Sequence, residues 1–245
     1  MNTDGHLFNG RIRYRQPAAG FRSGIEPVLL AASAMARPGE HVLEAGTGAG
    51  AALLCLSARV GGVSAIGVEC DPAMAALAAD NALANGFGGM SIVAGRIESA
   101  TFDRLFDHAI ANPPYHPANG TGSPLAAREN AKRGSEASIA AWIGRLALAL
   151  RDRGSLTLIV PAGMVPACLT ALAGFHCPCT VLYPLWPKAN RPAKLVLVRG
   201  IKNARTPMRL SPGMVLHHPD GSFTDAAEAI LRDGSALDLD GQGIR

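Results

Sequence analysis

Short apolar runs alternate with segments of helical spacing along most of the chain. The apolar runs are HVLEA (41–45), VSAIGVE (63–69), MSIVAG (90–95), DHAIA (107–111) and SLTLIV (155–160). Short apolar runs bounded by turn residues are typical of strands that are buried on both faces of a parallel sheet. We therefore predict five parallel strands from these runs.

The segments between the runs predict helices. They are residues 51–60, 71–86, 138–150 and 161–175, and the last is irregular at Pro166. In the second, Asp71 suits an N-cap, Pro72 suits the first helical position, and Gly86 follows the helix end. Strands that alternate with helices at this spacing predict a doubly wound α/β sheet with right-handed crossovers.

The two ends of the chain have different patterns. One helix, from about Pro27 to Ala36, precedes the first predicted strand, and CTVLYPLW (179–186) and AKLVLVRG (193–200) predict a terminal pair of strands. We therefore expect a mostly parallel, seven-stranded sheet with a C-terminal antiparallel hairpin. The expected organisation is an N-terminal extension (1–40), one main domain (41–233) and a mobile tail (234–245).

Composition and cysteine usage narrow the class of protein. Apolar residues make up 48% of the chain, yet no window is long and uncharged enough for a membrane-spanning helix. The first residues lack the pattern of a secretory signal, and the five cysteines are an odd number. We expect a cytoplasmic enzyme with reduced thiols, no membrane contact and no metal site.

Positive charge is concentrated in two segments. Residues 186–209 hold seven Lys or Arg and no acid, and the segment from Arg11 to Arg22 holds four arginines and no acid. Such segments are typical of a surface that binds a polyanion. Charge alone leaves two ordinary solvated faces equally open.

A glycine-rich turn, VLEAGTGAGAA (42–52), joins the first predicted strand to a helix. Its glycines, Gly46, Gly48 and Gly50, permit a sharp turn and close approach of a ligand to the N–H groups of the helix N-terminus. Glu69 ends the next strand, where its carboxylate can accept hydrogen bonds from ribose hydroxyls. The turn predicts an adenosine-containing cofactor. It also fits the dinucleotide pattern, so an NAD-dependent dehydrogenase stays open, although Glu44 favours S-adenosylmethionine because an acid attracts its ammonium group.

The stretch ANPPY (111–115) follows the fourth predicted strand. Ligands of doubly wound sheets bind beyond the carboxyl ends of the strands. Proline has no backbone N–H, so Pro113 can only accept hydrogen bonds through its carbonyl. This carbonyl and the side-chain oxygen of Asn112 together suit a substrate NH2 group. Tyr115 offers a flat face for a planar group. The pattern predicts methyl transfer to an exocyclic amine, and a nucleic-acid base must leave its stack to reach it.

These motifs resemble a known family. VLEAGTGAG (42–50), GVECDP (67–72) and ANPPY (111–115) are similar to class I S-adenosylmethionine-dependent methyltransferases that act on amino groups. Two flanking stretches, 13–33 and 184–200, resemble the bacterial tRNA1(Val) adenine-37 N6-methyltransferase family, with similarity over about residues 9–237. The resemblance implies an N6-adenine methyltransferase of RNA, with tRNA as the expected substrate.

The resemblance also implies roles for particular residues. The segment that closes over the cofactor would be Phe21, Arg22, Ser23 and Gly24. The methionine part would be held by Glu44, Ala45, Gly46, Thr47, Gly48 and Gly50, and the ribose by Glu69 with Cys70 beside it. The target-amine pocket would be Asn112, Pro113, Pro114 and Tyr115, with Asn112 also beside the cofactor.

One position departs from the family pattern. Many relatives carry Asp after a glycine at the end of the third strand, where it accepts from the cofactor adenine; this chain has Arg96 between Gly95 and Ile97. Either Glu98 takes that role or the backbone of Gly95 and Ile97 supplies the contact.

Basic residues outside the core motifs are candidates for RNA contact. They are Arg128, Lys132 and Arg133 in the segment after ANPPY, together with Lys188 and Arg191 near the C-terminal hairpin. A solvent-facing linker is an equal explanation for the first three. Trp142, within an apolar helix, is expected in the core.

Other substrates remain open at this point. Protein-glutamine N5-methyltransferases also use Asn-Pro-Pro-Tyr, but they usually carry a larger N-terminal helical domain, and the basic segments favour nucleic acid. DNA is a further alternative because nothing in the predicted pocket reads a 2′-hydroxyl. The pattern carries no information on oligomeric state.

Overall fold

The computed structural model describes residues 2–18, 24–114 and 138–241. The strands are β1 (Asn2–Leu7), β2 (Ile12–Pro17), β3 (His41–Ala45), β4 (Ser64–Glu69), β5 (Met90–Ala94), β6 (Phe106–Ala111), β7 (Leu150–Pro161), β8 (Cys179–Lys188), β9 (Leu195–Ile201), β10 (Arg209–Leu210) and β11 (Met214–His217). The helices are α1 (Glu26–Ser33), α2 (Ala51–Arg59), α3 (Pro72–Ala84), α4 (138–149), α5 (Val165–Gly174) and α6 (Asp225–Leu231). Two 3-10 turns, Ile97–Ser99 and Ala162–Met164, complete the elements with names.

The central sheet has the strand order β10-β8-β9-β7-β6-β3-β4-β5, and β11 pairs with β8 beyond β10. Strands β3 to β7 are mutually parallel, and β9 runs antiparallel to both β7 and β8. The predicted mostly parallel sheet with a C-terminal antiparallel hairpin is therefore confirmed. Its seven predicted strands form the continuous part, and β10 and β11 lengthen it. Strands of two and four residues are too short to show an apolar period.

The helices cover both faces of the sheet. Consecutive residues of β3 point to opposite faces: Val42 belongs to the apolar cluster formed with α1 and α2, and Leu43 to the one formed with α4 and α5. The two clusters explain why the parallel strands are apolar throughout, since both faces are buried. The sheet is doubly wound, as predicted.

The helix ends follow the expected chemistry. The Asp71 carboxylate accepts the Ala73 backbone N–H at 2.8 Å and thereby caps α3. Helix α5 begins at Val165, so Pro166 lies in its first turn, where the missing N–H has no intrahelical partner to lose. The irregularity predicted at Pro166 is the start of the helix.

An N-terminal hairpin was not predicted. Strands β1 and β2 pair antiparallel from Leu7 and Ile12 outward, and β2 lies along α3. The signal in the sequence was the Asn9-Gly10 pair, which favours a tight hairpin turn. In the structure both residues adopt the positive φ that such a turn requires, 52° and 90°. Strand β1 is almost wholly polar and β2 has only a short alternation of apolar and polar residues, so neither gives a clear strand pattern.

Part of the predicted mobile tail packs against the core. The backbone N–H of Leu237 donates to Ala32 O at 2.9 Å, and Leu239 is fully buried. The buried guanidinium of Arg199 pairs with Asp240 at 2.8 Å. These contacts fasten residues 237–240 to α1 and β9, while residues 242–245 lie outside the described part of the chain. The domain boundaries stay a prediction.

Candidate active site

Four neighbouring parallel strands, β6, β3, β4 and β5, end at one edge of the sheet, and most predicted site residues lie there. In register, Ala45 at the end of β3 pairs with Val68 of β4 on one side and with Ala111 of β6 on the other. The backbone N–H of Gly95, after β5, donates to Glu69 O at 2.8 Å. The glycine turn, Glu69, Gly95 and Asn112 therefore share this edge.

The glycine turn is held by β4. The backbone N–H groups of Gly46 and Thr47 donate to Val68 O at 2.8 and 3.2 Å. Gly46, Gly48 and Gly50 have φ of 68°, 56° and 90°, in the left-handed region that favours glycine. A Cβ added to Gly48 would come no nearer than 3.9 Å to any non-neighbouring heavy atom, so the turn is open there to a ligand.

Glu44 is a buried carboxyl beneath this turn. Its residue is 3% exposed, and burial raises its pKa to about 8 despite a hydrogen bond donated by the Thr47 hydroxyl. The negative charge of Glu69 contributes a smaller rise, and the backbone N–H of Leu53 opposes it. Within the part of the chain that the structure describes, no cationic side chain forms an ion pair with Glu44, so this buried acid is a ready acceptor for a cation.

Glu69, the last residue of β4, connects this strand to the glycine turn through hydrogen bonds. One carboxylate oxygen accepts the Gly48 backbone N–H at 2.8 Å, and the other accepts the Asp71 backbone N–H at 2.9 Å. Cys70 is exposed beside it, and its thiol donates to Glu69 at 3.4 Å. A carboxylate has about four acceptor positions, so Glu69 can still receive hydroxyl donors.

The position that departs from the family pattern lies at the same edge. The Arg96 guanidinium pairs with the Glu98 carboxylate at 2.9 Å, and Ile97 is buried. A Cβ on Gly95 would meet no heavy atom within 4 Å. The backbone at Gly95 is thus accessible to a ligand, and the nearby acid Glu98 is already engaged by Arg96.

Asn112 and Pro113 follow β6 directly, so the sheet places them beside the glycine turn. Asn112 is half-buried, Pro113 is buried and Pro114 is exposed. Gly24 lies just before α1. Several predicted site residues lie outside the described part of the chain: Phe21, Arg22, Ser23, Tyr115, Arg128, Lys132 and Arg133.

Trp142 is a site neighbour that the sequence pattern placed in the core. Trp142 lies in the second turn of α4 (138–149), and its proximity to Gly46 brings this part of the helix to the glycine turn. Trp142 is only half-buried, and a Cβ on Gly46 would lie 2.7 Å from its Cη2 atom. Its place early in the helix after the ANPPY segment was the available signal.

Lys188 and Arg191 lie at the same edge but two to three strands away from β6, where β8 turns into β9. Among the described residues, no group of His, Cys, Asp and Glu side chains is arranged to hold a metal ion. The described helices include none that is both long and apolar enough to cross a bilayer.

Comparison with known proteins agrees with this geometry. Residues 42–132 match the family model of a methyltransferase domain. A tRNA1(Val) (adenine(37)-N6)-methyltransferase from a Flavobacteriaceae bacterium (strain 3519-10) is 32% identical over 58% of this chain and 60% of its own length. One of the same name from Porphyromonas gingivalis is 30% identical over 66% of each chain. The matched parts thus span less than two thirds of these relatives.

A solved structure shows the same fold. A predicted O-methyltransferase from Agrobacterium tumefaciens superposes with a TM-score of 0.70 at 19% identity, covering 86% of this chain and 98% of the other. The doubly wound sheet, the glycine turn and Glu69 at the end of β4 place the chain in the class I S-adenosylmethionine-dependent methyltransferases. Within this class, the curated relatives that match the chain at 30–32% identity carry the name tRNA1(Val) (adenine(37)-N6)-methyltransferase, in agreement with the predicted family. The predicted methyltransferase class is confirmed, in preference to a dehydrogenase.

Proposed function

We propose that this protein transfers a methyl group from S-adenosylmethionine to the exocyclic N6 amine of adenine in RNA, with tRNA as the substrate. One observation carries the proposal: Asn112 and Pro113 emerge from β6 directly beside the glycine turn of β3. The names of the relatives support tRNA, and a cytoplasmic location belongs to the proposal because tRNA is modified there.

The residues of the glycine turn fit S-adenosylmethionine. The open face at Gly48 leaves room for the methionine part, and the buried Glu44 offers an acceptor for its ammonium group. Glu69 sits where ribose hydroxyls can donate to it, and the accessible backbone at Gly95 can meet the adenine. When bound, S-adenosylmethionine supplies an electrophilic methyl group on a sulfonium.

Asn112 and Pro113 prepare the nucleophile. The N6 lone pair of adenine is delocalised into the ring, so the amine is a weak nucleophile. We infer that the Asn112 side-chain oxygen and the Pro113 carbonyl each accept one amine N–H. These bonds localise the lone pair and aim it at the methyl group. Positioning and matched electrostatics supply most of the rate enhancement for such a displacement.

Proton removal does not need a strong base in this scheme. As the bond from N6 to the methyl group forms and the methyl–sulfur bond breaks, the nitrogen becomes acidic, and the same acceptors stabilise its developing positive charge. The surplus proton then leaves to solvent. Pro113 is buried, so its carbonyl is shielded from competing water. Tyr115 would supply the stacking face for the base, as its place in the motif implies.

The test is an incubation with methyl-labelled S-adenosylmethionine and separate pools of tRNA, rRNA, DNA and protein lacking the modification. We expect label in tRNA, and nuclease digestion with mass spectrometry should identify N6-methyladenosine. Label in glutamine side chains would establish the protein-glutamine alternative, and label in DNA the deoxyadenosine alternative. NAD binding in preference to S-adenosylmethionine would overturn the methyltransferase assignment for this chain.

A further inference from the structure

The hairpin tip comprises residues 187–194, that is, the last two residues of β8 and the turn that leads into β9. Strand β7 ends at Pro161, which pairs with Leu195 at the start of β9, and Leu195 pairs in turn with Leu185 of β8. The Ala162 backbone N–H, just after β7, donates to Lys194 O at 3.0 Å. The hairpin tip therefore projects from the same edge of the sheet as Asn112.

The sheet register sets the separation between the tip and Asn112. Ala111 pairs with Leu158 of β7, three residues before Pro161, and β9 is the second strand from β6. With about 3.3 Å of rise per residue and about 4.8 Å between strands, Leu195, where the tip joins β9, lies roughly 14 Å from Ala111, the residue before Asn112. That distance suits nucleotides that flank a base held at Asn112.

The structure divides the basic segment 186–209 into two functional groups. Arg199 and Arg209 both pair with Asp240, and Lys202 donates to Phe175 O at 3.3 Å. These cations, with Arg205, lie away from the hairpin tip; Lys202 and Arg205 lie beyond the opposite end of β9. The cations at the tip are Lys188, Arg191 and Lys194.

The tip cations are available to an external anion. Arg191 and Lys194 are exposed, and within the described ranges no acidic side chain lies within ion-pair distance of either. Lys188 is held by donation to Pro219 O at 2.8 Å. Asp220 lies close enough to influence Lys188 electrostatically, so Arg191 and Lys194 carry the uncompensated charge.

The tip is also concave. A recess of about 450 Å³ is lined by Pro187, Lys188, Arg191, Pro192 and Lys194. The lining is almost wholly apolar, formed by two proline rings and the aliphatic stems of the three cationic side chains. A sugar–phosphate unit has this combination of an apolar ribose face and a charged phosphate. The prolines also stiffen the turn, which lowers the entropy lost on binding.

We propose that the hairpin tip binds the RNA phosphodiester backbone beside the target adenine, through Arg191 and Lys194 with Lys188 in support. This inference rests on the proposed function and adds a second RNA contact site to it. The RNA backbone would pass from the Asn112 pocket across β7 to the tip. The tip positions the substrate and does not touch the reacting atoms.

A salt titration of RNA affinity tests the tip directly. The double variant Arg191→Ala with Lys194→Ala is compared with Arg37→Ala with Arg205→Ala. The second pair removes the same charge from exposed residues at the opposite edge of the sheet. The probe is an unmodified tRNA transcript with adenine at position 37, and fluorescence anisotropy measures binding from 50 to 300 mM KCl.

We expect the tip variant to bind the transcript about tenfold more weakly at low salt. Its slope of log affinity against log salt should fall by about 1.5, since each phosphate contact contributes about 0.7 to 0.9. The control pair should keep the wild-type slope. Affinity for S-adenosylmethionine, measured by calorimetry, should be unchanged in both, which shows that the fold and the cofactor site are intact.

The outcomes separate this inference from the proposed function. A wild-type protein that does not bind the transcript in a salt-dependent way contradicts the proposed RNA substrate itself. Wild-type binding with a steep slope, but equal slopes for the tip and control variants, overturns the tip while leaving the function standing. Equal loss in both pairs indicates a diffuse charge effect and also overturns the tip.

Discussion

The indole of Trp142 lies against the backbone of Gly46, residues that are far apart in the chain. The contact is so close that a Cβ on Gly46 would stand 2.7 Å from Cη2 and 3.2 Å from Cζ3 of the indole. Gly46 thus has two separate requirements to be glycine, its φ of 68° and this ring. Trp142 supports the turn from one side, and Glu69 holds it from the other through Gly48.

We expect Gly46→Ala to destabilise the protein more than Gly48→Ala. Both substitutions place alanine at positive φ, which costs about 1–2 kcal/mol, but the Gly48 Cβ meets only Met74, at 3.9 Å. The clash with Trp142 should add about 1–3 kcal/mol at Gly46. Urea denaturation measures both free energies of unfolding.

A second substitution shows whether Trp142 causes that difference. In the background of Gly46→Ala, Trp142→Leu removes the ring and should recover most of the extra loss, so the two changes should be non-additive. Additive effects would show that the indole does not press on the glycine turn.

Asn112→Ala should lower the turnover of methyl transfer about 10²- to 10³-fold, because an acceptor that acts on the developing charge is removed. Affinity for S-adenosylmethionine should stay within about threefold of wild type, since the glycine turn and Glu69 are untouched. Single-turnover kinetics and calorimetry give the two values.

Asn112→Gln provides the companion measurement. It keeps the amide but displaces its oxygen by about one bond length, and a misplacement of about 1 Å can cost 10²-fold in rate. A glutamine variant that matches wild type would show that the position of the acceptor is unimportant and would remove Asn112 from the mechanism.

Glu44 makes the stability of the cofactor-free protein depend on pH. Burial raises the pKa of Glu44 from 4.5 to about 8, so the folded protein retains a proton that the unfolded chain releases between these values. Stability from this group is therefore fully present below pH 4.5 and is lost as pH rises towards 8.

Glu44→Gln removes that dependence because glutamine does not ionise. The stability of the glutamine variant minus that of wild type should increase steadily from pH 5 to pH 8, and chemical denaturation without cofactor measures it. Taking the difference cancels the other titrating groups. A difference that stays constant over this range would mean that Glu44 is ionised throughout.

Asn81 fastens the N-terminal hairpin to the core. Its buried side-chain amide donates to Arg15 O at 2.8 Å and to Ala49 O at 2.9 Å, and it accepts the Arg15 backbone N–H at 3.0 Å. Asn81→Ala leaves these groups unpaired and should cost about 2–4 kcal/mol of unfolding free energy.

Asp80→Ala is the matched control for Asn81. Asp80 is exposed on the same helix, and its replacement should change stability by less than about 0.5 kcal/mol. Because Ala49 belongs to the glycine turn, Asn81→Ala should also weaken binding of S-adenosylmethionine. Unchanged stability in Asn81→Ala would show that the hairpin contributes nothing to the core.

Much of the architecture was predictable because its causes are local. The apolar period of a buried strand, the cap at Asp71 and the left-handed glycines at 46, 48 and 50 each depend on a few neighbouring residues. The sheet topology follows from their order, since parallel strands need crossovers of one hand. The shared edge for Glu69 and Asn112 follows from that topology.

The short and half-polar elements were harder to predict. The hairpin of β1 and β2 is held to the core by Asn81 of α3 and by Asn85 at the C-terminal end of this helix. The side-chain amides of both residues form hydrogen bonds with the β2 backbone. No local pattern in β2 reveals these partners, because they lie more than 60 residues further along the chain. Strand β10 has only two residues and exists because β8 offers it an edge.

Composition and local pattern are sufficient to identify the order of strands and helices and the glycine turn, and they predict an amine pocket after β6. Packing alone determines that Trp142 touches Gly46, that burial raises the pKa of Glu44, and that Arg199 pairs with Asp240 while Arg191 faces solvent. The physical reason is range. Backbone conformation is set by neighbours in sequence, whereas burial, charge compensation and close contact depend on distances between distant residues.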